Sequence, residues 1–275
     1  MSHGWVREGS LGHRGLIRVE RWINRQADLI LVSSGALADG LRGLDGGHHS
    51  DGVPGPVAVV EDGVDGELFQ PRPDPALRSR LGLSSDTILV VFLGLLTPYQ
   101  GVDLLLESAG RACSEEPRLH FLVMGWPEED RYRKKARALG LAGRVSFPGR
   151  INYFEASGHL AAGDIAVAPK ICRTESNGKL LDYLACALPT AAFDTPVNRE
   201  ILRENAVYAR LWPEDQAASA RGLAEAVLTL ARDPDLRRNL GDKGRLMACQ
   251  DYSWKRIALR IETFYQRLLK PVLEP

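Results

Sequence analysis

Cysteine is scarce in this chain. The four residues, Cys113, Cys172, Cys186 and Cys249, are scattered through 275 positions with no C-x-x-C pair. That spacing argues against a zinc ribbon, a redox dithiol or a disulfide scaffold. Net charge is absent too: Lys+Arg and Asp+Glu both number 35. No global field therefore draws nucleic acid or an anionic membrane, although a local basic patch stays open. Long apolar runs are lacking. The longest, Ile88 to Leu96, is far shorter than a membrane span. The opening, MSHGWVREGS, has no apolar signal core. These features read as a cytoplasmic protein, at most peripheral at the inner membrane face, with no transmembrane segment and no nucleic-acid partner. G-x-G-x-x-G, Walker A and G-x-S-x-G are all missing, which counts against a dehydrogenase, a P-loop enzyme and an α/β hydrolase. No internal repeat or low-complexity tract is visible.

What is there is a core and a rhythm. Hydrophobic residues make up 44%, so disorder is not the default. LILVS (Leu29–Ser33) and VAVV (Val57–Val60) read as strands, followed by a Pro-rich joint from Phe69 to Pro75. Regular alternation follows. Strands are expected at Ile88–Gly94, Leu119–Gly125, Val145–Gly149, Asp164–Pro169 and Pro189–Asp194, each with a helix after it. From Pro213 the pattern turns helical, to Leu269. Apolar strands alternating with helices indicate a parallel sheet covered on both faces, a doubly wound α/β domain. In such sheets ligands bind at the carboxyl ends of the strands, at the topological switch point.

The residues just after each strand therefore carry the chemistry. GLLTPYQGVDLLLESA follows the first strand of the alternation, where Gly94 lets backbone approach a ligand. Alone, this is an ordinary strand-to-helix loop. KICRTESNGKLLDYLACALPTAAFD follows Asp164–Pro169. Thr174, Glu175, Ser176, Asn177 and Gly178 look like cap residues, so a helix start facing the cleft is expected, with amides and dipole favouring phosphate. Lys179 falls in its first turn, where a cation opposes the dipole unless an anion is bound. Asp182 lies on the same face at i+3 and would accept two ribose hydroxyls. The alternative is an ordinary capped helix with a surface Lys–Asp pair. Asp194 or Thr195 would cap the next helix, its amides also facing the cleft.

These segments, taken in order, make the chain similar to glycosyltransferase family 4. GLLTPYQGVDLLLESA resembles the family's G-R-L-x-x-x-K-G-x-D-x-L-L-x-A segment. KLLDYLACALPTAAFDTPVNREIL resembles E-x-x-A-x-G-x-P-V-V-A-x-D-x-x-x-N-x-E-x-(I/V). EDGVDGELFQP resembles the P-N-G-V-D-x-x-x-F-x-P joint, and SFPGRINYFEASGHLAAGDIAVAP the F-x-G to A-D-x-x-x-x-P stretch. The match runs from about Ala27 to the C-terminus.

The resemblance implies a GT-B fold of two Rossmann-like halves. Here a remnant of the acceptor half (residues 1–70) would precede the donor domain (71–252) and a crossing helix (253–275). It implies transfer of a sugar from a nucleotide-diphosphate sugar, with retention, without an essential metal and without a cofactor. The acceptor would be a glycan, a lipid or a small molecule. The donor contacts it implies are Gly94, Lys170, Asn177, Gly178, Lys179, Asp182 and Thr195. Its acidic pair maps onto Asp182 and Thr174, with Glu175 one residue off; Glu175 or Thr174 would meet the donor sugar as the catalytic position.

Two departures stand out. The family's phosphate-binding Arg and Lys of the first loop are Leu95 and Gln100 here; Lys170, Arg173 or Lys179 would replace them. A subgroup with a P-Y-Q-G loop and a T-E-x-N-G-K-L stretch is similar in this respect. The second departure is that only 26 residues precede the match, so most of the acceptor site and the usual catalytic histidine region would have no counterpart. That role is not given to His3 or His13. The alternative reading is a non-catalytic donor-binding module that needs a separate acceptor subunit. A third, an epimerase of the same fold, lacks placeable acid/base residues. Asp233-Pro234-Asp235 is read as a helix cap rather than a metal-binding D-x-D, and His48-His49 as a loop rather than a metal site. The last segment, YSWKRIALRIETFYQRLL, is amphipathic at helical spacing.

Overall fold

A computed structural model describes residues 9–42 and 56–273. Contacts divide the chain into two compact units. The first comprises Met1–Glu61, Thr174–Ser176 and Ile257–Pro275, and the second Asp62–Arg173 and Asn177–Arg256.

The second unit contains a six-stranded, all-parallel sheet. Its strands are β3 (Ile88–Leu93), β4 (Leu119–Met124), β5 (Val145–Gly149), β6 (Ile165–Ala168), β7 (Thr190–Phe193) and β8 (Ala206–Ala209). The spatial order is β5-β4-β3-β6-β7-β8. The chain moves outward from β3 to β5, returns to lay β6 against β3, and moves outward again to β8. The switch point thus falls between β3 and β6, where Val90 pairs with Ile165 and Val91 with Ala166. Both faces are covered, so β3 and β6 read as continuous apolar runs: Leu89 to Phe92 and Ile165 to Ala168 are wholly buried.

On one face α4 (Val102–Glu115) packs with α9 (Gln216–Arg232). Leu105, Leu106, Leu223, Val227 and Leu230 share a core there with Val90 and Phe92. Elsewhere α7 (Lys179–Ala185) packs against α10 (Pro234–Asp251). Gly244 faces Leu184 so closely that a Cβ would lie 2.6 Å from its Cδ2. The remaining helices of the unit are α3 (Leu77–Arg80), α5 (Glu129–Ala138), α6 (Tyr153–Ala161) and α8 (Pro196–Leu202).

The first unit holds α1 (Leu11–Gln26), β1 (Ile30–Val32), α2 (Gly35–Leu41) and β2 (Val57–Val59). β1 and β2 pair in parallel, Ile30 with Val57 and Val32 with Val59. Ala38 and Leu41 of α2 cover them with Val32 and Val57. α11 (Trp254–Leu273) runs into this unit, where Arg260 pairs with Glu61 and donates to the Val59 carbonyl.

The five strands expected from the alternation are all present, four of them shorter by one or two residues. β8, α2 and α3 were not expected. Asp233 does cap a helix: its carboxylate accepts from Leu236 N–H at 2.8 Å, with Pro234 at the first helical position. His3, His48 and His49 lie outside the described residues.

Candidate functional site

The carboxyl ends of β3 and β6 are fastened to each other. Past β3 the chain makes a 3-10 turn, Pro98–Gln100, closed by Gly101 at φ 75°. Gly101 lies under the Pro169 carbonyl, and a side chain there would collide with it. Beside it the Ile171 N–H donates to the Tyr99 carbonyl at 3.2 Å. A left-handed φ and a backbone contact in one place leave glycine as the residue that fits.

Lys179, the first residue of α7, reaches across to this loop. Its Nζ donates to Gln100 Oε1 at 2.7 Å. The same ammonium sits 4.5 Å above the centre of the Phe92 ring, a cation–π contact. It lies against Gly94, so that a Cβ on that residue would be 2.5 Å from Nζ. Among the residues singled out in the sequence, the structure therefore brings Lys179 and Gly94 together. Gln100, noted in the sequence only as standing where the family has a lysine, and Phe92, which the sequence reading gave no part, complete the arrangement. Lys170 is buried, 3% exposed, at the end of β6. A buried lysine is uncommon unless something polar meets it.

Asp182 stands one turn beyond Lys179 on α7. Burial pushes its carboxyl up to about 7, because desolvation disfavours the charged form. The Tyr153 hydroxyl, raised mainly by its own burial, also feels the Asp182 charge.

Behind the start of α7 lies an amide relay. Asn198 Nδ2 donates to the Phe193 carbonyl at 2.8 Å. A carbonyl only accepts, so the other amide atom of Asn198 must be oxygen. That oxygen accepts from Asn177 Nδ2 at 3.0 Å. The remaining atom of Asn177 is therefore an acceptor. Among the described residues, Asn177 Oδ1 and Thr97 Oγ1 are the buried side-chain atoms with no hydrogen-bond partner. Both lie in the two segments that flank Lys179. Unsatisfied buried polar atoms are rare enough to need a reason, and a ligand-binding region supplies one. Thr195 is 1% exposed, and its Oγ1 caps α8 by accepting from Asn198 N–H at 3.3 Å.

One sequence expectation is corrected here. The polar run Thr174 to Gly178 does not cap α7 with a side chain. The cap position is Gly178, already at helical angles and without a side-chain bond. Asn177 is instead drawn into the relay. Two first-turn amides, Leu180 and Leu181, are satisfied internally by the carbonyls of Asn177 and Gly178, each at 2.9 Å. Fewer amides are left for an anion than the run suggested.

Thr174 and Glu175 are exposed and group with the first unit, where the Thr174 carbonyl accepts from Ser34 Oγ at 2.6 Å.

Other features of the second unit offer no comparable chemistry. A cavity of about 500 Å³ beside Asp164, Pro189 and Arg237 opens at the amino ends of β6 and β7, the end opposite to ligand binding in such sheets. The Cys113 and Cys186 thiols are pushed up by burial, to about 11 and about 12, and are not nucleophiles at neutral pH. Among the described residues no three His, Cys, Asp or Glu side chains converge as a metal site would need, and no helix is long and apolar enough to cross a membrane.

Comparison with known proteins places this geometry. The family described as glycosyl transferases group 1 matches residues 73–247. D-inositol 3-phosphate glycosyltransferase of Geodermatophilus obscurus is 30% identical over 248 residues, covering 86% of this chain and 52% of that protein. Alpha-maltose-1-phosphate synthase of Mycolicibacterium smegmatis is 27% identical over 274 residues, covering 92% of this chain and 68% of that protein. The chain thus spans about half the length of the first of these relatives. Among solved structures, sucrose-phosphate synthase (tll1590) from Thermosynechococcus elongatus superposes with a TM-score of 0.77 at 22% identity, over 94% of this chain and 62% of that one. Anabaena Alr3699/HepE in complex with UDP gives 0.76 at 19% identity, over 94% and 70%. These likenesses establish a GT-B-type α/β fold.

Proposed function

From the premise that the chain belongs to the group 1 glycosyl transferases, we propose that its second unit holds a nucleotide-diphosphate sugar and that the protein transfers this sugar with retention, without metal, as a member of glycosyltransferase family 4. The observation that carries the proposal is the Lys179 ammonium at the β3–β6 switch point, held by Gln100 and seated against the bare backbone of Gly94. A cation at that switch point supports the reading, because in such sheets ligands bind there.

In this reading Lys179 and Lys170 meet the phosphates. The missing side chain of Gly94 leaves room for a phosphate oxygen, and the backbone at Asn177 and Gly178 lines the same wall. Asp182 takes the ribose hydroxyls. Thr195 and Asn198 hold the wall behind Asn177. Glu175 or Thr174 meets the sugar. As the glycosidic bond to the diphosphate breaks, charge builds on the leaving oxygens, and fixed cations there stabilise it. The division into an acceptor-half remnant (1–70), a donor domain (71–252) and a crossing helix (253–275) belongs to the same proposal.

Calorimetric titration with UDP-, GDP- and ADP-sugars tests it. Saturable binding of at least one is expected, and Lys179→Met should weaken it about 10- to 100-fold, as for loss of a charged hydrogen bond. Silence of a folded sample towards all three would remove the proposal. A second reading, a donor-binding module that relies on a separate acceptor subunit, is favoured by the neutral Leu95 and Gln100 in the first loop. It predicts binding without release of nucleoside diphosphate from the bound donor.

A further inference from the structure

We propose that Gln100 is the positioning residue for Lys179, and that its neutrality is what the site requires. The inference rests on the reading of Lys179 as a phosphate ligand.

Gln100 has little freedom. It is 7% exposed. Its N–H closes the 3-10 turn onto the Thr97 carbonyl at 3.1 Å. On either side of it, Tyr99 is bonded to Ile171 and Gly101 is wedged beneath Pro169. The backbone at position 100 is therefore fixed from both neighbours, and the loop presents its side chain in one place.

The partner across the gap decides which atom it presents. An ammonium only donates, so the amide must turn its oxygen to Lys179. With the Phe92 ring on one side at 4.5 Å and the Gly94 backbone on another, Oε1 at 2.7 Å gives Nζ a third fixed contact. A four-carbon stem that would otherwise sample many rotamers is held in one pose before any ligand arrives.

The choice of glutamine over its neighbours in chemistry follows. A glutamate would keep the acceptor but bring a negative charge to the place where phosphate charge must be accommodated. A lysine would set two ammoniums at hydrogen-bond distance, and they would repel. A leucine would fill the space and leave the ammonium one partner short. An amide orients the cation without cancelling its charge. Positions 100 and 179 thus behave as an exchangeable pair: one supplies the cation and the other an amide to hold it.

The test measures Kd for UDP, GDP and ADP by calorimetry on the full chain, with folding checked by circular dichroism. Gln100→Leu should weaken binding about 5- to 10-fold. Gln100→Glu should weaken it further, because its carboxylate stays ionised beside the Lys179 ammonium and offsets the cation's charge. Lys179→Gln should lose affinity, and the exchanged double variant Gln100→Lys/Lys179→Gln should regain most of it. A merely structural glutamine would not show the rescue by exchange. If Gln100→Leu fails to fold, the Glu variant and the exchanged pair decide the matter. Wild-type affinity in all the Gln100 variants, with affinity lost in Lys179→Met, would overturn the role of Gln100 alone. Undiminished affinity in Lys179→Met would overturn the reading of Lys179 and this inference with it. No binding of any of the three nucleotides by folded wild-type protein would overturn the function itself.

Discussion

Asp182 is the residue whose chemistry is most exposed to solution conditions. Its carboxyl sits near 7 when the chain is folded, against an ordinary value of 3.8. Between about pH 4 and pH 7 the folded state keeps a proton that the unfolded chain has given up. Stability from this group therefore falls as the pH rises through that window and is level above it. Asp182→Asn should remove the slope and raise the melting temperature at pH 8, where the wild type must hold a poorly solvated charge. Ligand affinity should run the other way. An ionised carboxylate is the better acceptor for two hydroxyls, so nucleotide binding should strengthen as the pH rises through about 7, and the asparagine variant should be flat. Gly94 makes a second residue-scale prediction. Gly94→Ala would press a methyl into the Lys179 ammonium, so nucleotide affinity should drop tenfold or more while the fold is kept. Lys179, Gly94 and Asp182 could be singled out in the sequence as candidates because they lie in the segments that follow β3 and β6. Gln100 showed in the sequence only as a neutral residue where the family has a lysine; its bond to Lys179, 79 positions on, leaves no local pattern, and neither do the parts of Phe92 and Asn198.

At the scale of elements, capping was read correctly where the cap is local and wrongly where it is not. Thr195 and Pro196 begin α8 as their order suggests. Thr195→Ala should cost about 1 kcal/mol and lower the melting temperature by a few degrees, measurable by calorimetry without ligand. The run ahead of α7 has the same composition but a different fate. Its asparagine is taken up by a partner on α8, 21 residues later, and no window of sequence carries that information. The central strands were legible because burial on both faces makes them uninterrupted apolar runs. β8, Ala206–Ala209, was missed for the opposite reason: it is a four-residue edge strand, mostly half-buried, directly after a helix. α2 is a seven-residue helix containing two glycines, which hide it from any propensity argument.

At the scale of the molecule, α1 presents an unusual surface. Leu16, Val19, Trp22 and Ile23 are more than half exposed and fall along one side of the helix. Such a stripe favours association. The chain should self-associate at high concentration, and Trp22→Ser together with Ile23→Ser should shift sedimentation towards the monomer without changing nucleotide affinity. In the second unit the parallel sheet is two wings joined at β3 and β6, and that seam registers two residue pairs. The loops at its upper end, gripped through Gly101 and Pro169 and through Tyr99 and Ile171, act as a clasp on it. A molecule lying across the clasp would tie the wings together far from its own contacts. Amide hydrogens along both strands should then exchange with solvent more slowly in concert, so that occupancy could be followed from deuterium uptake in the middle of the sheet.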